Sequence, residues 1–522
     1  MKKLFSTTIA LIISLLMQAQ FANFDTLNVN NWAARINPCD IFFYDGGYSS
    51  LSEIPKYSGI SSIFSSNFWI GGFDSNNSLH MSSEAYGGQG LTFSSGPYAN
   101  NYSSTYDVKY NRVWKLNKYE VDYHINHWND VGYVMPEAIE NWPANGDISN
   151  GEDPVLAPFY DINANNFYDP QNGDYPYILG DQAIYLILND GRNATYLDVP
   201  KMNLEIHAMV FAFQDTGVIN NTFFMHFDII NKSQTNYHDV LWAFNSDFDI
   251  GGSSDDYIGC DSTQNVYFGY NGDSVDVVDS FDVGYGAYPP AVGITFLSRE
   301  MTSFMYFNNG MSSTDDPYTG AEYYNYMHSL WKDSTHLQYG GNGHLTGGAN
   351  VNYAFEENTS WTENITQNTP GDRRGVASIT VGDLDSTNCF GADVAFVWAR
   401  DTTDANPHSS VNLLLSQIPQ VVQFASQIGI NSTCTNLIYS SIKETDDIFK
   451  DYVKIYPNPA NNLININTNY KNYKIEIFTQ LGKKIIENEN IKILDISNLS
   501  DGVYIIKISS NDKFTWDKLI VK

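Results

Sequence analysis

The sequence predicts a mainly β protein: a strand-rich body of several sheets with a few short helices, then a small C-terminal β-sandwich. Three observations predict it. Apolar and polar residues alternate with period two over short stretches, and Gly, Asn and Ser separate those stretches at turn spacing. Charged residues are only 17% of the chain while aromatics reach 15%, the balance of extracellular β proteins rich in ordered turns.

Met1-Lys2-Lys3 is a positive start, residues 4–16 are apolar apart from Ser and Thr, and Ala19 offers a small residue for cleavage. Residues 1–19 therefore read as a secretory signal peptide. The apolar core is too short to span a bilayer of about 30 Å, and no later run reaches about 18 apolar residues, so no transmembrane span is expected.

Residues 23–435 form the predicted body, large enough for one or two subdomains. Its first part is turn-rich, with Gly46-Gly47, Gly71-Gly72 and Gly87-Gly88 around short aromatic strands such as 62–70. Helices are expected over 115–128, from the spacing of Val121, Ile125 and Trp128, over 136–142, and over 411–428, where Pro419 should kink or split the helix. The centre is strand-dense. Over 222–230, Phe223, Met225, Phe227 and Ile229 share one face, leaving His226 and Asp228 on the other; 240–250, 291–297 and 392–399 continue as strands. Residues 436–450, centred on Lys443-Glu444-Thr445-Asp446-Asp447, read as a linker.

From 451 to 522 the pattern changes. Tyr473, Ile475 and Ile477 alternate with Lys474 and Glu476, and Tyr504, Ile506 and Ile508 repeat the period, with Gly482 and Gly502 at turns. Ten lysines against eight acidic residues leave this segment about +2 in a chain of −31. A fibronectin-like adhesion module would fit these strands. The entry Val453-Lys454-Ile455-Tyr456-Pro457-Asn458-Pro459-Ala460, taken with the late hairpin Leu499-Ser500-Asp501-Gly502-Val503-Tyr504, instead resembles the type-A C-terminal sorting domain of the type IX secretion system of Bacteroidetes. That resemblance implies an immunoglobulin-like β-sandwich, recognition of residues 451–522 by the secretion machinery, and a secreted or outer-surface destination. In the body, Phe68-Trp69-Ile70-Gly71-Gly72, Tyr339-Gly340-Gly341-Asn342-Gly343 and Pro370-Gly371-Asp372-Arg373-Arg374 resemble large secreted proteins of the same bacteria, a likeness that transfers no catalytic residues.

A net charge of −31 argues against nucleic acid as a partner, because phosphate binding needs clustered Lys and Arg. It suits divalent cations or neutral glycans. Asp161, Asn163, Asn165 and Asp169 place oxygen side chains at the alternate positions Ca²⁺ requires, without the Gly and Glu of an EF-hand. An Asx-rich turn closed by its own amides is the alternative. Asp247, Asp249 and Asp255, near a strand end and a Gly-rich loop, form a second candidate Ca²⁺ group, against a solvated acidic loop. His124 and His127 have the spacing of a metal pair, and His226 with Asp228 that of a base and its orienter. Neither comes with the remaining parts of such a site. No His-Glu-x-x-His, Gly-x-Ser-x-Gly, phosphate loop or dinucleotide fingerprint occurs. Of Cys39, Cys260, Cys389 and Cys434, the pair expected to bridge is Cys389–Cys434. The abundance of Tyr and Trp suits glycan stacking. Together these features favour a calcium-stabilised adhesive body that binds glycans or surface proteins over an enzyme, with a secreted polysaccharide hydrolase as the alternative.

Overall fold

A computed structural model describes residues 23–47, 49–83, 92–192, 197–277, 283–440, 453–468, 472–479, 483–500, 502–510 and 513–522. The predicted signal peptide, most of the predicted linker, the Gly87-Gly88 turn and Gly482 lie outside them. The chain forms two units, one ending at Tyr439 and one starting at Ser440.

Period-two alternation in the body becomes two large antiparallel sheets, accompanied among the described residues by three small ones of two or three strands. The larger has nine strands; from one edge they run Asp256–Asp261, Val266–Asn271, Ala291–Phe296, Cys389–Ala399, Thr222–Asn231, Leu204–Ala212, Gln182–Asn189 and Ser94–Ser95, and Trp114–Asn117 also pairs with Gln182–Asn189. The smaller runs Met301–Asn308, Arg373–Leu384, Tyr237–Phe248, Ser65–Phe73 and Leu79–Ser82. Their inner faces meet through aromatic rings: Phe68 lies 5.5 Å and Trp242 5.7 Å from Phe227, and Phe244 lies 5.8 Å from Phe396. Phe223, Met225, Phe227 and Ile229 belong to this core, as their alternation predicts.

The opposite face of the large sheet is covered as well. Helix Pro407–Gln427 lays Val411, Leu414, Ile418, Val421 and Ala425 on it. Asn406 caps its first turn and Pro407 occupies a position where no N–H is needed. Gly293 permits the close approach, since a Cβ there would sit 2.9 Å from Leu414 Cδ2. The helix runs unbroken through Pro419, so the expected split does not occur; two full turns on either side hold it against the sheet. Near the N-terminus the expected helix is shorter, Lys118–His127, because Trp114–Asn117 is taken up as an edge strand. It buries Val121 and His124 rather than Ile125 and Trp128. Ser104–Tyr110, Gly320–Met327 and Glu363–Thr366 are further short helices.

The predicted disulfide Cys389–Cys434 is present, joining a central strand to the segment after the long helix; Cys39 and Cys260 are buried thiols. The bridge spans 45 positions. A loop of that length constrains the unfolded chain by about 4 kcal/mol on the chain-entropy account. Replacing both cysteines by Ser should lower the chemical denaturation midpoint accordingly, and an unmoved midpoint would show that the packing alone holds this segment.

In the C-terminal unit, Val453–Tyr456, Leu463–Thr468 and Ile493–Asp495 form one sheet and Lys484–Glu489, Lys474–Thr479, Gly502–Ser510 and Lys513–Val521 another. Ile464, Ile466, Ile475, Ile477, Ile506 and Ile508 fill the core between them. Lys474 and Glu476, on the alternate face, join Lys484 and Glu487 in an exposed ion-pair network.

Candidate functional site

The Asp161 loop follows the short strand Phe159–Asp161. Asp161 accepts backbone N–H groups from Asn165 at 3.2 Å and Asn166 at 2.7 Å. Asn163 and Asn165 each donate a side-chain N–H to Asp169 at 3.0 Å, and Asp174 accepts from the backbone of Ile162 and Asp169. Burial, with the Asp169 carboxylate alongside, holds Asp174 up at about 6. The four sequence-predicted oxygens are thus gathered in one loop, closed here by its own amides.

His124 and His127 are not brought together as ligands. Buried His124 spends Nδ1 on the Tyr133 hydroxyl at 2.8 Å and Nε2 on the Asp174 carbonyl at 2.9 Å, whereas exposed His127 pairs with Asp130.

On the small sheet, Asp247 ends the central strand directly opposite Arg374. Arg374 bridges three carboxylates: Nε lies 3.1 Å from Asp247, Nη1 2.6 Å from Asp316 and Nη2 3.4 Å from Asp372. Asp247, Asp249 and Asp372 each bring a carboxylate oxygen within 4.8 Å of the others'. Asp372 therefore stands where Asp255 was expected; Asp255 lies beside Asp256 and Asp276 instead. Burial, outweighing Arg374, pushes Asp247 well above the usual carboxylate range.

The third constellation is on the outer face of the large sheet. His226 is opposite Asp393 and two residues before Asp228. Its Nδ1 lies 2.6 Å from Asp393 and its Nε2 3.0 Å from Asp228 and 2.9 Å from the Thr435 hydroxyl. Asp393 also accepts the backbone and hydroxyl of Ser432 at 2.8 and 2.7 Å. Burial opposes charge on the imidazole, but the hydrogen bonds to Asp228 and Asp393 prevail and raise it to about 10. A base must carry a free lone pair, and this ring is held as an imidazolium with both nitrogens engaged. His226 is a staple between the sheet and residues 432–435. Asp393 was missed by sequence reasoning, although one Asp in the apolar run 392–399 signals a buried partner.

Beside the staple lies a hollow of about 200 Å³, lined by Tyr177, Leu179, His226, Tyr439 and residues 428–431 and 433–436. Half-buried Tyr160, Tyr175, Tyr177 and Tyr439 cluster at its rim: Tyr177 stacks on Tyr439 at 4.3 Å and Tyr160 on Tyr175 at 4.6 Å. A larger open hollow, about 630 Å³, includes Asp25 and Asp107 among its walls. Both carboxylates are already matched by cations, Asp25 by Lys115 at 3.0 Å and Asp107 by both terminal nitrogens of Arg192.

No curated protein matches the chain. Among solved structures, a polysaccharide lyase aligns over 61% of this chain and 34% of its own length, with 8% identity and a TM-score of 0.18. The chain thus spans about a third of that lyase, and so slight a likeness carries neither fold nor activity across. Among the described residues no helix is long and apolar enough to cross a membrane. Residues 454–522 match the family described as the secretion system C-terminal sorting domain, and with its strands and isoleucine core this segment is the type IX sorting domain of a secreted or cell-surface protein.

Proposed function

We propose that the body is a non-enzymatic binding module, carried out by its sorting domain, whose ligand is a saccharide and whose contact surface is the tyrosine-rimmed hollow. The observation that carries this reading is the contrast between the constellations. His226, Asp25 and Asp107 are closed by internal ion pairs, while Tyr160, Tyr175, Tyr177 and Tyr439 remain half exposed around a hollow of mixed polar and apolar lining. Tyrosine offers a sugar ring an apolar face and a hydroxyl together. Calcium is part of the same proposal. Asp161, Asn163, Asn165 and Asp169 already meet in one loop, where two carboxylates and two amide oxygens are the groups a hard cation takes.

Glycan-array binding by the purified body tests the reading. Tyr177→Ala and Tyr439→Ala should each weaken binding about tenfold, the scale of one lost aromatic stack. Release of new reducing ends from a polysaccharide would instead establish the hydrolase alternative.

A further inference from the structure

The small sheet carries a second feature that the acidic cluster alone does not explain. Strand pairing sets Asn245 opposite Asn67 and Asp247 opposite Ser65, with Arg374 on the far side of Asp247. Directly opposed residues and their i±2 neighbours share a face, so all five side chains point the same way. This is the face away from Phe68, Trp242 and Phe244, and Trp69 on it packs against Tyr323 of helix Gly320–Met327. The polar row is consequently buried: Ser65 and Asn67 are 0% exposed, Asp247 2% and Asn245 5%.

Its atoms lack partners. Both side-chain polar atoms of Asn67, the oxygen of Asn245, the hydroxyl of Ser65, Asp247 Oδ1 and Asp372 Oδ1 are enclosed and make no hydrogen bond. Native interiors leave few such atoms, and each unmet one costs about 1–3 kcal/mol. Here they converge. All but the Asn67 amide nitrogen and the Ser65 hydroxyl hydrogen are pure acceptors, so what is missing is positive charge or donors rather than acceptors. Charge points the same way: Asp247, Asp316 and Asp372 share one guanidinium, Asp249 brings a further carboxylate oxygen within 4.8 Å of those of Asp247 and Asp372, and Arg374 engages Asp247 Oδ2 while Oδ1 makes no hydrogen bond. Buried carboxylates in such excess need a counter-cation.

We propose that this row holds one calcium ion between Asp247, Asp249 and Asp372, with the side-chain oxygens of Asn67 and Asn245 completing its oxygen shell directly or through water. The inference rests on the reading of calcium as a structural ion of the body, and it moves the second site from Asp255 to Asp372 and onto the sheet. A hard, oxygen-seeking cation fits, because every group offered is an oxygen and no His or Cys belongs to the set.

Calcium stoichiometry of the full-length secreted chain, measured by titration calorimetry with CaCl₂ after chelator treatment, tests it. Asp372→Asn, at the more open edge, and Asn67→Ala, which removes no charge, should each lose one bound ion per chain, whereas Asp161→Asn should keep that ion. Retention of the full wild-type stoichiometry in both sheet variants would overturn the sheet site while leaving the calcium reading intact. Absence of any calcium uptake by the wild-type chain would overturn both. Circular dichroism of Asn67→Ala separates loss of an ion from loss of the fold, and a folded variant missing one ion supports the site.

Discussion

A chain truncated before Lys454 should accumulate in the periplasm and disappear from the culture medium and cell surface, as read by fractionation and immunoblotting. The expected effect is close to all-or-none. Residues 454–522 carry the sorting domain, and their core of Ile464, Ile466, Ile475, Ile477, Ile506 and Ile508 is separate from the cores of the body. The body is itself a unit ending at Tyr439, so its melting temperature should survive the truncation unchanged. Ile475→Asp provides a sharper version. The side chain is fully buried, and an unpaired carboxylate in an apolar core of this size costs more than a small domain can spare. Export should fail in that variant with the body still folded. Efficient export of either form would remove the sorting domain from the account of where this protein goes.

What the sequence revealed, and what it hid, divides along the range of the interactions. The alternation of Phe223, Met225, Phe227 and Ile229 and the isoleucine pattern of the tail are local, and both were readable as buried faces. Cys389–Cys434 was readable because it would tie a predicted strand to the segment after the last predicted helix of the body. The edge strand Trp114–Asn117 was not, because short polar and aromatic stretches take their conformation from the strand they join, here Gln182–Asn189. The split expected at Pro419 fails for a similar reason: the tertiary contacts of the helix outweigh the local cost of one missing N–H. Among the candidate site residues, Asp161, Asn163, Asn165 and Asp169 are neighbours in sequence and were found together. Asp372 is over a hundred residues from Asp247 and Asp249, and only the register of Arg374 against Asp247 reveals its place. His226 shows the remaining limit. Its spacing from Asp228 was visible, but Asp393, Ser432 and Thr435, which turn a possible base into a locked cation, arrive from other parts of the chain.

That lock makes a second strong prediction: the stability of the body should fall between pH 7 and 10 in the wild type, and much less in His226→Gln. Burial disfavours the imidazolium, but its hydrogen bonds to Asp228 and Asp393 raise it to about 10 in the folded protein, against about 6.5 in an unfolded chain. A group raised in this way contributes its full stabilisation below pH 6.5 and loses it as pH climbs through 10. The shift corresponds to stabilisation on the order of 5 kcal/mol. Asp228 acts in the opposite sense: burial opposes its charge, His226 more than compensates, and its depressed value adds stability that disappears in acid. Wild-type stability should therefore form a plateau on the acid side of pH 6.5, with losses in stronger acid and as pH rises toward 10. At pH 6 His226→Gln should cost about 3–5 kcal/mol by denaturant titration, because it leaves Asp228 and Asp393 buried without their cation. By pH 10 that difference should have shrunk toward zero, while Lys and Tyr titrations common to both proteins cancel in the comparison. Adding Asp393→Asn to His226→Gln should recover part of the loss by removing one of the stranded charges. Hydrogen exchange offers a local view, since Ser432 and Thr435 donate backbone N–H groups to Asp393 and Asp228 and should lose protection first. A difference between wild type and His226→Gln that stayed constant from pH 6 to 10 would mean that His226 is held by packing rather than by its charge.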